Sequence, residues 1–113
     1  MNEQYQEAAD ILLRVEAELR RLGLWQSKPP SAEALASELP FCCDTLDFHQ
    51  WLQFVLIERM KALIEAGHPL PSQSGIAPLA EEWFAGTDTD SRQLVRLLEE
   101  LDNLLSNQQT HGQ

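Results

Sequence analysis

The stretch FHQWLQFVLIERM, residues 48–60, decides the fold. Wound at about 100° per residue, Phe48, Trp51, Leu52, Val55, Leu56, Met60 and Leu63 share one broad face. Phe54, Ile57 and Ile64 widen it, leaving a narrow strip of Gln50, Gln53, Glu58 and Lys61 for water. A helix that is apolar over most of its circumference is buried on several sides. The pattern predicts a central core helix, with any function on the surface it leaves outside. Asp47 and Gln50 form a capping box at its start, and Gly67 before His68-Pro69 stops it after Ala66.

The flanking segments supply its packing partners. In residues 3–22, Tyr5, Ala8, Ile11, Leu12, Val15, Leu19 and Leu22 recur at three- and four-residue spacing, and Gly23 ends that helix. A linker stiffened by Pro29 and Pro30 follows, and Ser31 caps a short helical piece, SAEALASEL, closed by Pro40. HPLPSQSG is a loop on composition. Pro78 suits the first position of a short helix, PLAEEWFA, ended by Gly86. Asp90 and Gln93 offer a second capping box for a last amphipathic helix carrying Leu94, Val95, Leu97, Leu98, Leu101, Leu104 and Leu105 to about Asn107. No stretch alternates at period two long enough for a strand. The fold class expected is all-α: a small helical bundle of three long helices and one or two short ones. Residues 1–107 form its single domain, and 108–113 form a frayed polar tail.

The chain has 113 residues, a length that supports one core. Eighteen acids against eight bases give a net charge of −10. That field repels phosphate, so direct binding to nucleic acid or anionic lipid is not expected, whereas a basic protein would be drawn in. No apolar run reaches the ~20 residues of a membrane span. The polar start MNEQYQEAAD is no signal peptide, and the only cysteines, Cys42 and Cys43, are neighbours. The chain reads as cytoplasmic.

Catalytic chemistry finds little to work with. Glu65 and His68 have Glu-x-x-His spacing, but Gly67 and Pro69 break the helix that would aim them. Cys42, Cys43, Asp44 and His49 lie within eight residues but match no standard zinc spacing, and structural thiols are the simpler reading. His111 lies in the tail. There is no nucleophile elbow, Walker loop or dinucleotide fingerprint. Glu81-Glu82 and Glu99-Glu100 are adjacent on helices, so their carboxylates diverge onto solvated faces. Trp25 and Trp83, at or near helix ends, either finish the core or anchor an interface, and both are assigned to the core. The lead-in to the central helix, residues 40–47, combines two acids with an aromatic beside a proline and no base. It reads as a capped helix start or as a surface that receives a partner.

The landmarks Pro40-Phe41, Asp44-Thr45, Trp51-Leu52-Gln53 with Leu56-Ile57, Arg59-Met60, Leu70-Pro71, and Ala77-Pro78 with Glu81 follow one another over most of the chain. In order and spacing they resemble the YqcC-like family of small bacterial proteins. The resemblance implies an all-helical bundle. Family members often carry proline where this chain has Glu58, so a kink expected of that helix is left open here. They are often encoded beside tRNA pseudouridine synthase C, and some family descriptions carry that enzyme's name. The activity does not transfer. Pseudouridine synthases use a catalytic aspartate, commonly in an Arg-Leu-Asp setting within a much larger α/β domain, and this chain has no Arg-Leu-Asp.

The expectation is therefore a non-enzymatic interaction protein without cofactor, whose partner is tRNA pseudouridine synthase C or another basic protein. Phe41, Asp44 and Asp47 are the expected contacts, with Arg59 as a buried partner fixing the lead-in. The alternative is a small-ligand or metal-binding bundle using the Cys42–His49 region, and self-association is a third possibility.

Overall fold

The computed structural model describes residues 3–39, 44–71 and 75–107. Within them every regular element is a helix: α1 Glu3–Arg21, α2 Ala32–Leu35, α3 over residues 48–66, α4 Ile76–Phe84 and α5 Arg92–Asn107. Phe41, Cys42, Cys43 and the tail at 108–113 lie outside the described residues.

α1 forms because its apolar residues fall on one stripe, burying Ala8, Ile11, Leu12, Val15 and Leu19. Gly23, at φ 76°, ends it: the Leu24 N–H donates to the Leu19 carbonyl at 2.9 Å. α2 is a single turn, shorter than the helix predicted over SAEALASEL. Its Ser31 hydroxyl accepts from the Ala34 N–H at 3.1 Å, but Ala34 and Leu35 are only partly buried against the core, too little packing to extend the helix. Ser37 instead accepts from the Leu39 N–H at 3.1 Å, a local bond that competes with helix.

α3 begins and ends as predicted. Asp47 and Gln50 form the capping box, with the Asp47 N–H donating to Gln50 Oε1 at 2.8 Å. Gly67, at φ 71°, closes the helix as the His68 N–H reaches the Leu63 carbonyl at 2.9 Å. Between these ends the helix is not uniform. Residues Leu52–Leu56 wind as a π-helical turn, and the Ile57 N–H bonds the Leu52 carbonyl five residues back. The departure from α geometry thus exists with glutamate at position 58. The extra residue turns the first part of α3 against the last by about 100°. Gln53, expected in the water-facing strip, is consequently buried at 5% exposure, while Glu58 and Lys61 are exposed as predicted. Gln53 then needs polar partners, and finds them in the linker. Its Oε1 accepts from the Gln26 N–H at 2.9 Å and its Nε2 donates to the Gln26 carbonyl at 2.7 Å. Gln50 Nε2 donates to Gln26 Oε1 at 3.2 Å.

α4 starts at Ile76, two residues before the Pro78 start read from sequence. Its cap is supplied from α5. The Asp102 carboxylate accepts from the N–H groups of Ile76 at 3.0 Å and Ala77 at 2.8 Å, and Pro78 has no N–H to satisfy. The second predicted capping box also differs. Asp90 accepts from the Arg92 backbone N–H at 3.3 Å and from Nε and a terminal nitrogen of that guanidinium at 3.0 Å each. A bidentate, charge-assisted pair takes both carboxylate oxygens away from Gln93.

These contacts fix the helix directions. Tyr5 donates its hydroxyl to the His68 carbonyl at 2.7 Å, so the start of α1 meets the end of α3. Asp102 joins the end of α5 to the start of α4, and Trp83 near the end of α4 meets His49 at the start of α3. The four longer helices therefore alternate up and down. Leu52, Leu56, Ile57 and Met60 of α3 lie in the shared core with Val15, Leu19, Ile76, Leu94, Leu98 and Leu101, each at most 1% exposed.

Candidate protein-interaction surface

The lead-in to α3 is held from two sides. Behind it, Thr45 donates its hydroxyl to the Ala34 carbonyl of α2 at 2.6 Å, and the Ser37 hydroxyl donates to the Asp44 carboxylate. In front of it, Leu46 and Phe48 are buried and anchor the chain in the core. Phe48 stacks on Trp51 at 6.1 Å between centroids and meets Phe84 edge-on at 6.5 Å. Between these anchors Asp44 and Asp47 are left exposed.

Two aromatic groups complete the surface. His49 is 7% exposed, with its ring edge-on to Trp83 at 5.7 Å. Trp83 packs edge-on against Phe84 at 5.0 Å and is itself 39% exposed. The assignment of Trp83 to the core is therefore corrected: Phe84, its neighbour, takes the inward position and leaves the indole at the surface. Trp25 matches its assignment. It is half-buried against the core, with the Arg20 guanidinium 4.8 Å above its ring.

The electrostatics distinguish these acids from others nearby. Glu16 pairs with Arg20 at 3.0 Å, Glu18 with Arg21, and Asp90 with Arg92. The Arg92 hydrogen bonds hold the Asp90 carboxyl down to about 2. Among the described residues neither Asp44 nor Asp47 is paired with a lysine or arginine. Apart from the Gln50 backbone N–H of the capping box, the Asp47 carboxylate faces His49, whose Nε2 is 3.6 Å away. Burial keeps the His49 pKa below 6.5 despite the pull of the Asp47 charge. The two acids are thus free to meet cations from outside.

Of the sequence-predicted contacts, the structure brings Asp44 and Asp47 together in one turn, and Phe41 lies outside the described residues. Arg59 is not the buried partner expected. Ile57 and Met60 take the inward positions, leaving Arg59 exposed and about 18 Å along the helix from Asp47 at 1.5 Å per residue. Among the described residues no three His, Cys, Asp or Glu side chains gather as a metal set. An apolar groove between Leu12, Leu13 and Ile64 holds about 220 Å³, and a groove between α4 and α5 lined by Glu81, Phe84, Arg92 and Arg96 holds about 390 Å³; neither adjoins the Cys42–His49 region in sequence. The reading from sequence missed the meeting of His49 and Trp83, for which only the adjacent aromatics Trp83-Phe84 gave a signal.

The family model described as DUF446, tRNA pseudouridine synthase C, matches residues 7–104. The chain belongs to the DUF446 family. Its relatives are bacterial. It is 41% identical over 96 residues to an uncharacterised protein of Haemophilus influenzae, covering 85% of this chain and 90% of that one. It is 38% identical over 93 residues to the protein YqcC of Escherichia coli, covering 82% and 83%. The solution NMR structure of E. coli YqcC superposes with a TM-score of 0.77 at 34% identity, over 92% of this chain and 89% of that one. The DUF446 fold seen here is therefore shared with YqcC. A third relative differs in kind: 60 residues, 53% of this chain, are 42% identical to 16% of a Pectobacterium carotovorum protein called tRNA pseudouridine synthase C. No helix among the described residues is long and apolar enough to cross a membrane.

Proposed function

We propose that this chain is a cytoplasmic accessory protein that catalyses no reaction of its own and binds tRNA pseudouridine synthase C. The observation that carries the reading is the Pectobacterium protein, in which a segment like this chain is one part of a much longer polypeptide bearing the enzyme's name. One polypeptide in that bacterium corresponds, on this reading, to two associating chains elsewhere. The net charge of −10 supports it physically, because an enzyme that holds tRNA presents a basic surface to the phosphate backbone.

Asp44 and Asp47 supply the unpaired charge of the contact, and Trp83 supplies the half-exposed aromatic that anchors such interfaces. Phe41, three residues before Asp44 in the sequence, is the further contact expected. The acids position the enzyme or modulate its access to RNA. Calorimetric titration with purified synthase from the same organism tests the proposal. Saturable binding should weaken as salt rises from about 0.1 M to about 1 M, where the Debye length drops from roughly 10 to 3 Å. No binding at tens of micromolar sinks it.

A further inference from the structure

His49 sits where three pieces of the chain meet. It is the second residue of α3, its ring lies against Trp83 of α4, and the backbone of Leu24 in the linker faces it. The side chain is buried, and Nδ1 is fully enclosed without a hydrogen-bond partner. Nε2 stands 3.6 Å from the Asp47 carboxylate, which is itself 61% exposed. That separation is too long for a formed hydrogen bond but short enough for strong attraction once the ring carries charge.

The neutral ring fits this place. It packs by shape against the indole and leaves a single nitrogen unsatisfied. The protonated ring does not fit. Both nitrogens become donors, so an N–H on Nδ1 would be enclosed with no acceptor, and the charge would be partly cut off from water. The cation gains from the Asp47 carboxylate and from a hydrogen bond to the Leu24 backbone, but it reaches water only outward, past Asp47.

We propose that His49 is a proton-operated latch: when neutral it fastens α4 to the start of α3 through Trp83, and when protonated it swings toward Asp47 and releases Trp83. This goes beyond the partner reading and does not depend on it. Asp47 is the charged group that faces the ring from its own helix. The linker faces it with the uncharged Leu24 backbone, whose hydrogen bond favours the charged ring, and α4 with the uncharged Trp83 indole. Burial outweighs Asp47 and the Leu24 backbone together in setting the ring's protonation, so the latch is closed at neutral pH and opens in acid. Trp83 is free to move because it is partly exposed, while Phe84 at 5% exposure stays in the core.

The test is a pH titration of the whole chain labelled with 5-fluorotryptophan, read by ¹⁹F NMR together with the imidazole resonances. The three tryptophan signals are assigned by Trp83→Phe and Trp25→Phe. The latch predicts that His49 titrates below pH 6.5 and that the Trp83 signal moves with the same midpoint. The signal of Trp51, buried in the core, should stay in place, and in His49→Gln the Trp83 signal should not move over that range. A Trp83 signal indifferent to His49 titration overturns the proposal. So does a His49 midpoint at or above 6.5, or a Trp51 signal that moves in step, which marks unfolding of the whole domain.

Discussion

From Ile57 onward α3 meets its neighbours through Ile57 and Met60, both fully buried, while Glu58, Arg59, Lys61 and Glu65 face water. Before Ile57 the same helix turns polar groups inward as well: His49 against Trp83, Gln53 onto the Gln26 backbone, and Gln50 onto the Gln26 side chain. The π-helical turn at Leu52–Leu56 divides the two regions. The later half is held by shape, which any apolar side chain of the right size can satisfy. The earlier half is held by directional bonds, which fix the linker and lead-in in one arrangement. A surface meant to present Asp44, Asp47 and Trp83 in fixed relation needs the second kind of support.

Four substitutions should separate these regions. Met60→Ala leaves a cavity in the shape-held half and should cost about 2–5 kcal/mol in urea unfolding, whereas Met60→Leu should cost less than about 1.5 kcal/mol. Gln53→Met keeps the volume but strands the Gln26 N–H and carbonyl, and should cost about 1–3 kcal/mol by the same measurement. If it were as mild as Met60→Leu, the distinction between the halves would fail. Asp102→Ala uncaps α4 and should cost about 0.5–2 kcal/mol. Amide exchange should then quicken first at Ile76 and Ala77.

The smallest effect is a pH slope. The pKa of His49 is lower in the folded chain than the 6.5 of the unfolded one, so between those values the unfolded state binds more protons. The contribution of the neutral ring is fully present above pH 6.5 and falls away as pH drops toward the folded value. His49→Gln should flatten the stability profile in that window, and a slope unchanged by the substitution would show that other groups set it.

What was legible in the sequence was local. The boundaries of α1, α3 and α5 follow from periodicity and from stop residues within a turn of each end, and the Asp47–Gln50 box joins residues three apart. What was not legible required a partner far along the chain. α4 starts early because Asp102 caps it from 26 residues away, and Gln53 is buried because Gln26 lies 27 residues back. The π turn has no signature in LQFVL that separates it from ordinary helix. In the candidate surface, the acids were readable as a cluster in sequence. The company of His49 and Trp83 arises only when α4 folds back beside α3, and the outward turn of Arg59 only when Met60 claims the core.

The central claim is that the lead-in surface receives a basic partner, and one set of affinities tests it most directly. Binding of tRNA pseudouridine synthase C is measured for the unaltered chain, for Asp44→Lys combined with Trp83→Ala, and for Leu13→Lys. Leu13 is 62% exposed in the groove between α1 and the later half of α3. The account predicts that the lead-in pair weakens binding at least tenfold, about 1.4 kcal/mol, and that Leu13→Lys leaves it unchanged. Loss of binding with Leu13→Lys and none with the lead-in pair would contradict it and move the contact to the opposite end of α3.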